Sequence, residues 1–310
     1  MSATDNDIED SAAPLIEHLA ELRTRLIRSV LAFVVGMIIC FSFGSIILDF
    51  LLVPIEKTMR NLGNPNPVMQ YTAPQEYFFT LIRISMVGGL AISFPVIANQ
   101  LWRFVAPGLY KNEKNAFLPF LVASPVLFLM GAAFAHYVVV PLAMQFFLGF
   151  SDAASYLSAM IATGDAKTSG IDIVFNGKVN ESLDITLKMI VAFGLCFQLP
   201  VLLTLMGKAG LVTAEGLGNV RKYAVVGILL LAALVTPPDV VTQLILFVVV
   251  YGLYEISIFL VSRVDAKREK QLREDGFYDD DDEAEADFDA MADEMDREDP
   301  IVEEPKDRDL

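Results

Sequence analysis

The residues of this chain that could do chemistry are few, and the most suggestive are acids placed near arginines. Glu21 precedes Arg25 by four residues, the spacing that lets a carboxylate and a guanidinium meet on one helix face. Glu113 is the only acid in the basic stretch Trp102–Lys114. Its alternative role is an exposed partner for a neighbouring lysine. Because such exposed pairs add little stability, recognition of a cation is the favoured interpretation.

A second kind of polar residue lies inside an apolar run. Gln198 falls in the middle of Met189–Gly207, and Pro200 two residues later removes a backbone donor, which predicts a helix kink. An amide at this depth should hydrogen-bond to a neighbouring helix. That helix can belong to this chain, where the amide would be structural, or to a partner. Both interpretations stay open.

Several classes of activity lack their sequence signatures. There is no phosphate-binding G-x-x-x-x-G-K-[ST] loop, no G-x-S-x-G elbow and no H-E-x-x-H motif. The two histidines have no nearby cysteines or paired carboxylates, and the two cysteines each lie in an apolar run. We therefore expect no enzyme, no metal site and no cofactor. Basic and acidic residues balance over residues 1–273, which excludes a basic surface for nucleic acid.

Long apolar runs must position these residues, and they indicate a membrane protein. The chain has 310 residues, 54% of them hydrophobic, with a mean hydropathy of +0.50. The third run is too long for one straight span, so it must tilt, bend or project. The fifth is short and is followed by the proline-forced turn Thr236–Asp239, which predicts a short hairpin of the fifth and sixth helices. The six predicted spans are 26–48, 79–101, 117–150, 185–206, 223–235 and 240–261.

The charges predict the orientation and the domain limits. Lysines and arginines concentrate in the N-terminal segment, the second and fourth connections and the segment after the last span, which places both termini in the cytoplasm. Residues 274–310 hold 19 acids and carry the whole net charge. We predict a disordered N-terminus (1–13), a six-span membrane domain (14–265) and a basic, then acidic, disordered tail (266–310).

Two connections on the other side receive structural predictions. Residues 49–78, which include Pro54, are expected to form an ordered cap with little regular helix. The Asn176-Gly177 pair predicts the turn of a β-hairpin spanning about 171–178.

Several ordered motifs resemble those of the TatC family, the multispanning subunit of the twin-arginine protein translocase. The similarity runs from about residue 14 to 265. The motifs are His18-Leu19-Ala20-Glu21-Leu22-Arg23-Thr24-Arg25, Pro95 in the second span, Trp102…Phe104…Ala106-Pro107-Gly108-Leu109-Tyr110-Lys111…Glu113, and Thr236-Pro237-Pro238-Asp239 with Gln243.

This resemblance implies a receptor in the bacterial inner membrane for folded proteins that carry a twin-arginine signal peptide. Its expected partners are the single-span proteins TatB and TatA, signal peptides and other copies of itself. The resemblance assigns the signal peptide to Glu21, Glu113, Arg23, Arg25 and Phe104. It assigns partner docking to Gln198, Thr236 and Gln243, and a structural or translocation role to Pro54, Pro95 and Asp239.

Two other classes of function compete with this one. A small-solute transporter or channel would need convergent charges within the membrane or internal repeats, and neither is visible in the sequence. A membrane-embedded enzyme would need one of the missing catalytic signatures.

Overall fold

The chain folds into a bundle of helices joined by short connections. The computed structural model describes residues 3–105, 114–161, 175–237 and 239–274. The elements in these ranges are α1 (Ala3–Ser42), α2 (Gly44–Asn61), β1 (Met69–Gln70), α3 (Glu76–Val105), α4 (Lys114–Phe134), a π-helical turn (Ala135–Val139), α5 (Val140–Ile161), β2 (Gly177–Lys178), α6 (Val179–Cys196), α7 (Leu199–Lys208), α8 (Ala214–Asn219), α9 (Arg221–Val235) and α10 (Val240–Glu274).

Five helical segments in the described ranges are long and apolar enough to cross a membrane, which confirms an all-helical, multi-span class. α9 has 15 residues, about 22 Å at 1.5 Å per residue, and is not one of the five. It ends at Val235, where the sequence places the end of the fifth span. The sixth crossing therefore stays a prediction. The five segments are Leu19–Ser42, Glu76–Phe104, Pro119–Phe150, Val179–Lys208 and Val240–Gln271.

Prolines interrupt two of these segments. The α-helix is interrupted between α6 and α7 by a turn at Phe197 and Gln198, two residues before Pro200, where the sequence predicts a kink. The π-helical turn lies directly before Pro141. The proline ring clashes with the carbonyl four residues earlier, that of Tyr137, and the wider turn relieves this clash. The third segment therefore changes its helical geometry at its centre.

The prediction of little regular helix in residues 49–78 is wrong, because α2 continues to Asn61 with Pro54 inside it. Leu48, Leu51, Ile55 and Met59 recur at helical spacing and are all buried. Pro54 is buried on the same helix. Packing of this apolar face outweighs the low helix propensity of one proline.

The predicted hairpin turn at Asn176-Gly177 is also wrong. Gly177 and Lys178 form β2, which pairs in parallel with Met69 and Gln70 of β1. The remaining residues of that hairpin, 171–174, lie outside the described residues. Gly177 is buried, and a Cβ there would lie 2.8 Å from the ring of Phe175. Close packing, rather than a turn, therefore explains why position 177 is a glycine.

Helices extend into both predicted disordered segments. α1 begins at Ala3, inside segment 1–13, and α10 continues to Glu274, inside segment 266–310. Extending an existing helix needs no new nucleus, so a short polar flank can continue it. Residues 275–310, which hold most of the acidic tail, lie outside the described residues.

The smaller of two buried clusters lies where α4 meets α3, α6 and α7. The ring of Phe128 packs on Gly194, where a Cβ would approach it to 2.7 Å. Phe128 also stacks on Phe94 with ring centroids 4.0 Å apart. Trp102, one turn before the end of α3, belongs to the same buried cluster. These contacts fix the end of α3, from which the connection to α4 departs.

Candidate functional site

α1 and α3 pack against each other more extensively than any other pair of described helices. A Cβ added at Gly36 would lie 2.8 Å from the carbonyl oxygen of Gly89, and one at Gly88 would lie 2.9 Å from Sγ of Cys40. Small residues thus let the two helices approach closely, as is common in membranes. As the residue number rises from 36 to 40 on α1, its contact on α3 falls from 89 to 88, so the helices are antiparallel.

The contact between Gly36 and Gly89 determines which residues of α1 and α3 lie at the same level, that is, at the same height along the two helices. Glu21 is fifteen residues from Gly36, and Phe104 is fifteen residues from Gly89. Each therefore lies about 22 Å from the glycine contact, in the same direction. The structure brings Glu21 of the N-terminal motif and Phe104 of the α3 end to one level of the bundle.

Glu21 and Arg25 form an ion pair on α1. Nε of Arg25 donates to Oε1 of Glu21 at 3.0 Å, and its terminal nitrogen donates to the same oxygen. The side chain of Glu21 is 36% exposed and that of Arg25 only 19%. Arg23 is exposed on another face of the helix. A half-buried carboxylate is suited to bind a cation, because charge-assisted hydrogen bonds are stronger where water is partly excluded.

Glu113, the second predicted acid of this group, lies outside the described residues. The described chain ends at Val105 and resumes at Lys114. Its role stays a prediction.

Gln198 makes two hydrogen bonds within the chain. Oγ of Ser124 on α4 donates to its side-chain oxygen at 2.5 Å, and its side-chain nitrogen donates to the Ser124 carbonyl at 2.9 Å. The pair links α4 to the kink between α6 and α7. Gln198 remains half-buried, so part of it reaches the surface of the bundle.

Thr236, Asp239 and Gln243 meet at the turn between α9 and α10. Thr236 and Asp239 are buried, at 6% and 3% exposure. Oγ1 of Thr236 donates to the Ala232 carbonyl at 2.8 Å. Asp239 caps α10 by accepting from the backbone N–H of Thr242 at 2.7 Å. Gln243 is half-buried one turn into α10.

The two predicted structural prolines both lie within helices. Pro54 is buried in α2 and Pro95 is exposed in α3, and each removes one backbone hydrogen bond from its helix.

The connection between α7 and α9 is tied to α10, which sequence reasoning missed. Asp265 accepts from the Ala214 backbone N–H at 2.8 Å, and the Tyr254 hydroxyl donates to the Leu217 carbonyl at 2.7 Å. Arg221 pairs with Glu255 at 2.9 Å. These partners lie 34 to 51 residues apart, and no local pattern pairs them.

A cavity of about 390 Å³ lies beside α2 and β1, also unforeseen from the sequence. Its lining includes Asp49, Glu56, Tyr71 and Tyr77. Burial, followed by Tyr77 and the nearby acids, raises the pKa of Tyr71 above its ordinary value.

Sequence reasoning also missed two adjacent amides on α3. The side-chain oxygens of Asn99 and Gln100 are buried and have no hydrogen-bond partner among the described residues. Two adjacent amides near the end of an apolar run are the signal that could have singled them out.

Apolar helices, closely packed glycines and a charged pair at one end of the bundle define a multi-pass helical membrane protein. The family model for TatC, the Sec-independent protein translocase protein, matches residues 17–248. The chain therefore belongs to the TatC family, whose members are components of a protein translocase rather than enzymes.

Individual proteins agree with this assignment. The chain is 44% identical to the Sec-independent protein translocase protein TatC of Magnetococcus marinus over 86% of its own length and 89% of that protein. Its identity to the Aquifex aeolicus protein of the same name is 38%, over 84% of this chain and 99% of that one. A crystal structure of the twin-arginine translocase receptor TatC superposes with a TM-score of 0.65, at 38% identity, over 80% of this chain and 99% of that one.

Proposed function

We propose that this chain is the receptor subunit of a twin-arginine translocase in a bacterial inner membrane. It binds twin-arginine signal peptides on its cytoplasmic face and, with TatA and TatB, moves folded proteins across the membrane. The observation that carries the proposal is the half-buried Glu21 carboxylate at the level of Phe104, at the end of the α1–α3 pair.

Arginine is the cation that this arrangement favours. Its planar guanidinium carries five donors and presents two of them to one carboxylate, which an ammonium group does not. Glu21 and Glu113 would each receive one arginine of the pair, and Phe104 would offer an apolar surface beside them. Two charge-assisted bonds at about 1.5–3 kcal/mol each discriminate a twin-arginine peptide from one with neutral residues.

The orientation proposed for the chain follows the positive charges. With both termini in the cytoplasm, α9 completes a sixth crossing, and α9 and α10 form a hairpin around the turn Thr236–Asp239. The ion pair of Arg221 with Glu255 joins the base of this hairpin. Glu21 and the α3 end then face the compartment from which cargo arrives.

TatA and TatB would dock on polar groups in otherwise apolar surfaces. The half-buried Gln243, beside the buried Thr236 and Asp239, offers such a group at the α9–α10 turn. Gln198 offers a second, because its side-chain nitrogen has two hydrogens and one of them bonds to Ser124. Interhelical hydrogen bonds are one of the forces that drive helix association in membranes.

The test measures peptide binding rather than export, because binding reports recognition alone. The complex with its single-span partners would be purified, and binding of a signal peptide would be measured for the Arg-Arg and Lys-Lys forms. We expect the Arg-Arg peptide to bind at least tenfold more tightly. Equal affinity for the two peptides would contradict the receptor assignment.

A variant test addresses Glu113. Glu113→Ala, at unchanged protein level, should abolish crosslinking to the Arg-Arg peptide. Glu56→Ala is the matched control, because Glu56 pairs with Arg60 four residues later, as Glu21 does with Arg25, but lies on α2 beside the opposite connection. Unchanged crosslinking in Glu113→Ala would refute its role.

A further inference from the structure

Helical periodicity places the two unpartnered amides on the side of α3 that packs against α1. Eleven residues make about three helical turns, so Asn99 and Gln100 repeat the positions of Gly88 and Gly89, which pack against α1. Their side-chain oxygens are buried and accept no hydrogen bond from any described residue. A buried acceptor without a donor costs free energy, so each such group calls for an explanation.

The same eleven-residue repeat, applied to α1, identifies Arg25. Arg25 is eleven residues before Gly36, so it repeats the position of the glycine that meets Gly89. Burial supports this placement: Glu21, Arg25 and Ser29 are half-buried, whereas the residues between them are exposed. The antiparallel register therefore sets Arg25 opposite Gln100, one turn from the level of Glu21 and Phe104.

The carboxylate of Glu21 already holds a guanidinium in this structure, that of Arg25. An arriving arginine that takes this carboxylate competes with Arg25 for it. The Arg25 side chain is 19% exposed, so water alone does not fully replace the bond that it gives up. A second acceptor within reach of Arg25 would lower the cost of the exchange.

We propose that Gln100 is that acceptor and that cargo binding proceeds by partner exchange at Arg25. The arginine of the signal peptide pairs with Glu21, and Arg25 turns from Glu21 to the side-chain oxygen of Gln100. The inference rests on the proposed function. Gln100 is a positioning residue, because it acts through Arg25 and leaves the peptide to Glu21.

An amide suits this role better than a carboxylate or an apolar group. Gln100 is neutral, so in the absence of cargo it does not draw Arg25 away from the stronger partner Glu21. A carboxylate at position 100 would hold Arg25 permanently and leave Glu21 open. An apolar residue would leave Arg25 without an alternative. The two substitutions therefore predict opposite effects.

The experiment measures peptide affinity in the purified complex. Gln100→Leu should weaken binding of the Arg-Arg peptide by about tenfold, the value of one hydrogen bond to a charged group. Gln100→Glu should retain or tighten binding. In an Arg25→Gln background, where Arg25 no longer competes for Glu21, Gln100→Leu should have no further effect. Gln100→Met, which keeps the side-chain length, replaces the leucine variant if that one does not fold.

Asn99→Leu is the matched control. It removes an equally buried and unpartnered amide oxygen that the register places opposite Ser29 rather than Arg25. Affinity should stay unchanged. A tenfold loss in Asn99→Leu, no loss in Gln100→Leu, or the same loss with and without Arg25 would each overturn the exchange. If the Arg-Arg preference persists in those cases, the receptor function stands and only the role of Gln100 fails.

Discussion

In the proposed receptor, Glu21 is the residue on which recognition of a paired arginine would depend most directly. It is half-buried, it lies at the level of Phe104, and it already binds the guanidinium of Arg25. A neighbouring α2 helix carries the same acid–arginine spacing at Glu56 and Arg60, with an Nε–Oε1 distance of 3.0 Å. Spacing alone therefore does not distinguish a recognition pair from a surface pair, and only position in the bundle does.

The isosteric substitution Glu21→Gln tests this distinction. It removes the charge and keeps the shape, so the affinity for an Arg-Arg peptide should fall by about tenfold to a hundredfold. Glu56→Gln should leave that affinity unchanged, because its pair is exposed on α2. Peptide titration of both variants in the purified complex checks the prediction. Equal affinities for the two variants would remove Glu21 from the site.

Two roles remain for Gln198, a structural role within this chain and a contact with a partner helix. Its hydrogen bonds to Ser124 support the structural interpretation that the sequence held open. Its half-exposed side chain supports the contact with a partner helix.

Gln198→Leu separates these roles. We predict intact signal-peptide binding and weaker partner association or export, because the lost amide would have bonded to a partner within the membrane. Ser124→Ala is the control, since it removes one internal bond and keeps the amide. Co-purification of TatA and TatB and an export assay measure the outcome. Normal values of both in Gln198→Leu would leave Gln198 a purely structural residue.

At the scale of elements, the α1–α3 pair determines whether a site exists at all. Glu21 and Phe104 share a level only because glycines let the two helices touch at one register. A Cβ at Gly89 would lie 2.6 Å from the backbone nitrogen of Met37, and backbone atoms cannot move aside as a flexible side chain can.

Gly89→Ala should therefore both destabilise the protein and weaken recognition. Overpacking of this kind costs about 1–3 kcal/mol of unfolding free energy. Gly252→Ala on α10 is the matched control, because a Cβ there meets nothing within 4 Å, and it should be neutral or slightly stabilising. Thermal unfolding in detergent and peptide titration measure the two effects. Equal unfolding temperatures in the two variants would contradict the close approach.

Most of the helices were predictable from the sequence, and the elements that were not share one cause. The long apolar runs, the kink before Pro200 and the end of α9 at Val235 follow from local chemistry, and the sequence predicts them correctly. Helix α2 and the pairing of β1 with β2 do not follow from local chemistry. Distant segments bury the apolar face of α2 and supply the strand partner of Gly177. Asn99 and Gln100 escaped notice for the same reason. An amide in a helix becomes informative only when its neighbours are known.

At the scale of the whole molecule, the proposed recognition end and the short helix α9 are two separate features. Glu21 and Phe104 lie at one end of the α1–α3 pair, and α9 is a helix of only about 22 Å in a bundle whose other candidate spans have 24 to 32 residues. If α9 crosses the membrane, as proposed, a hydrocarbon core of about 30 Å would have to thin locally around it. The two features are far apart in sequence and in role, so they should be separable by mutation.

Insertion of four apolar residues in α9, one helical turn, should impair export of folded cargo and leave signal-peptide binding intact. The insertion lengthens α9 by about 6 Å and so removes the mismatch that thins the bilayer around it. A four-residue insertion after Gly63 is the control. That glycine has φ +92° and nothing within 4 Å of a built Cβ, so the connection there should accept added length without altering any helix. Export of a reporter protein and peptide affinity are measured together. Loss of both in the α9 variant would mean that the insertion disturbs the bundle as a whole, and the proposed link between the short helix and translocation would fail.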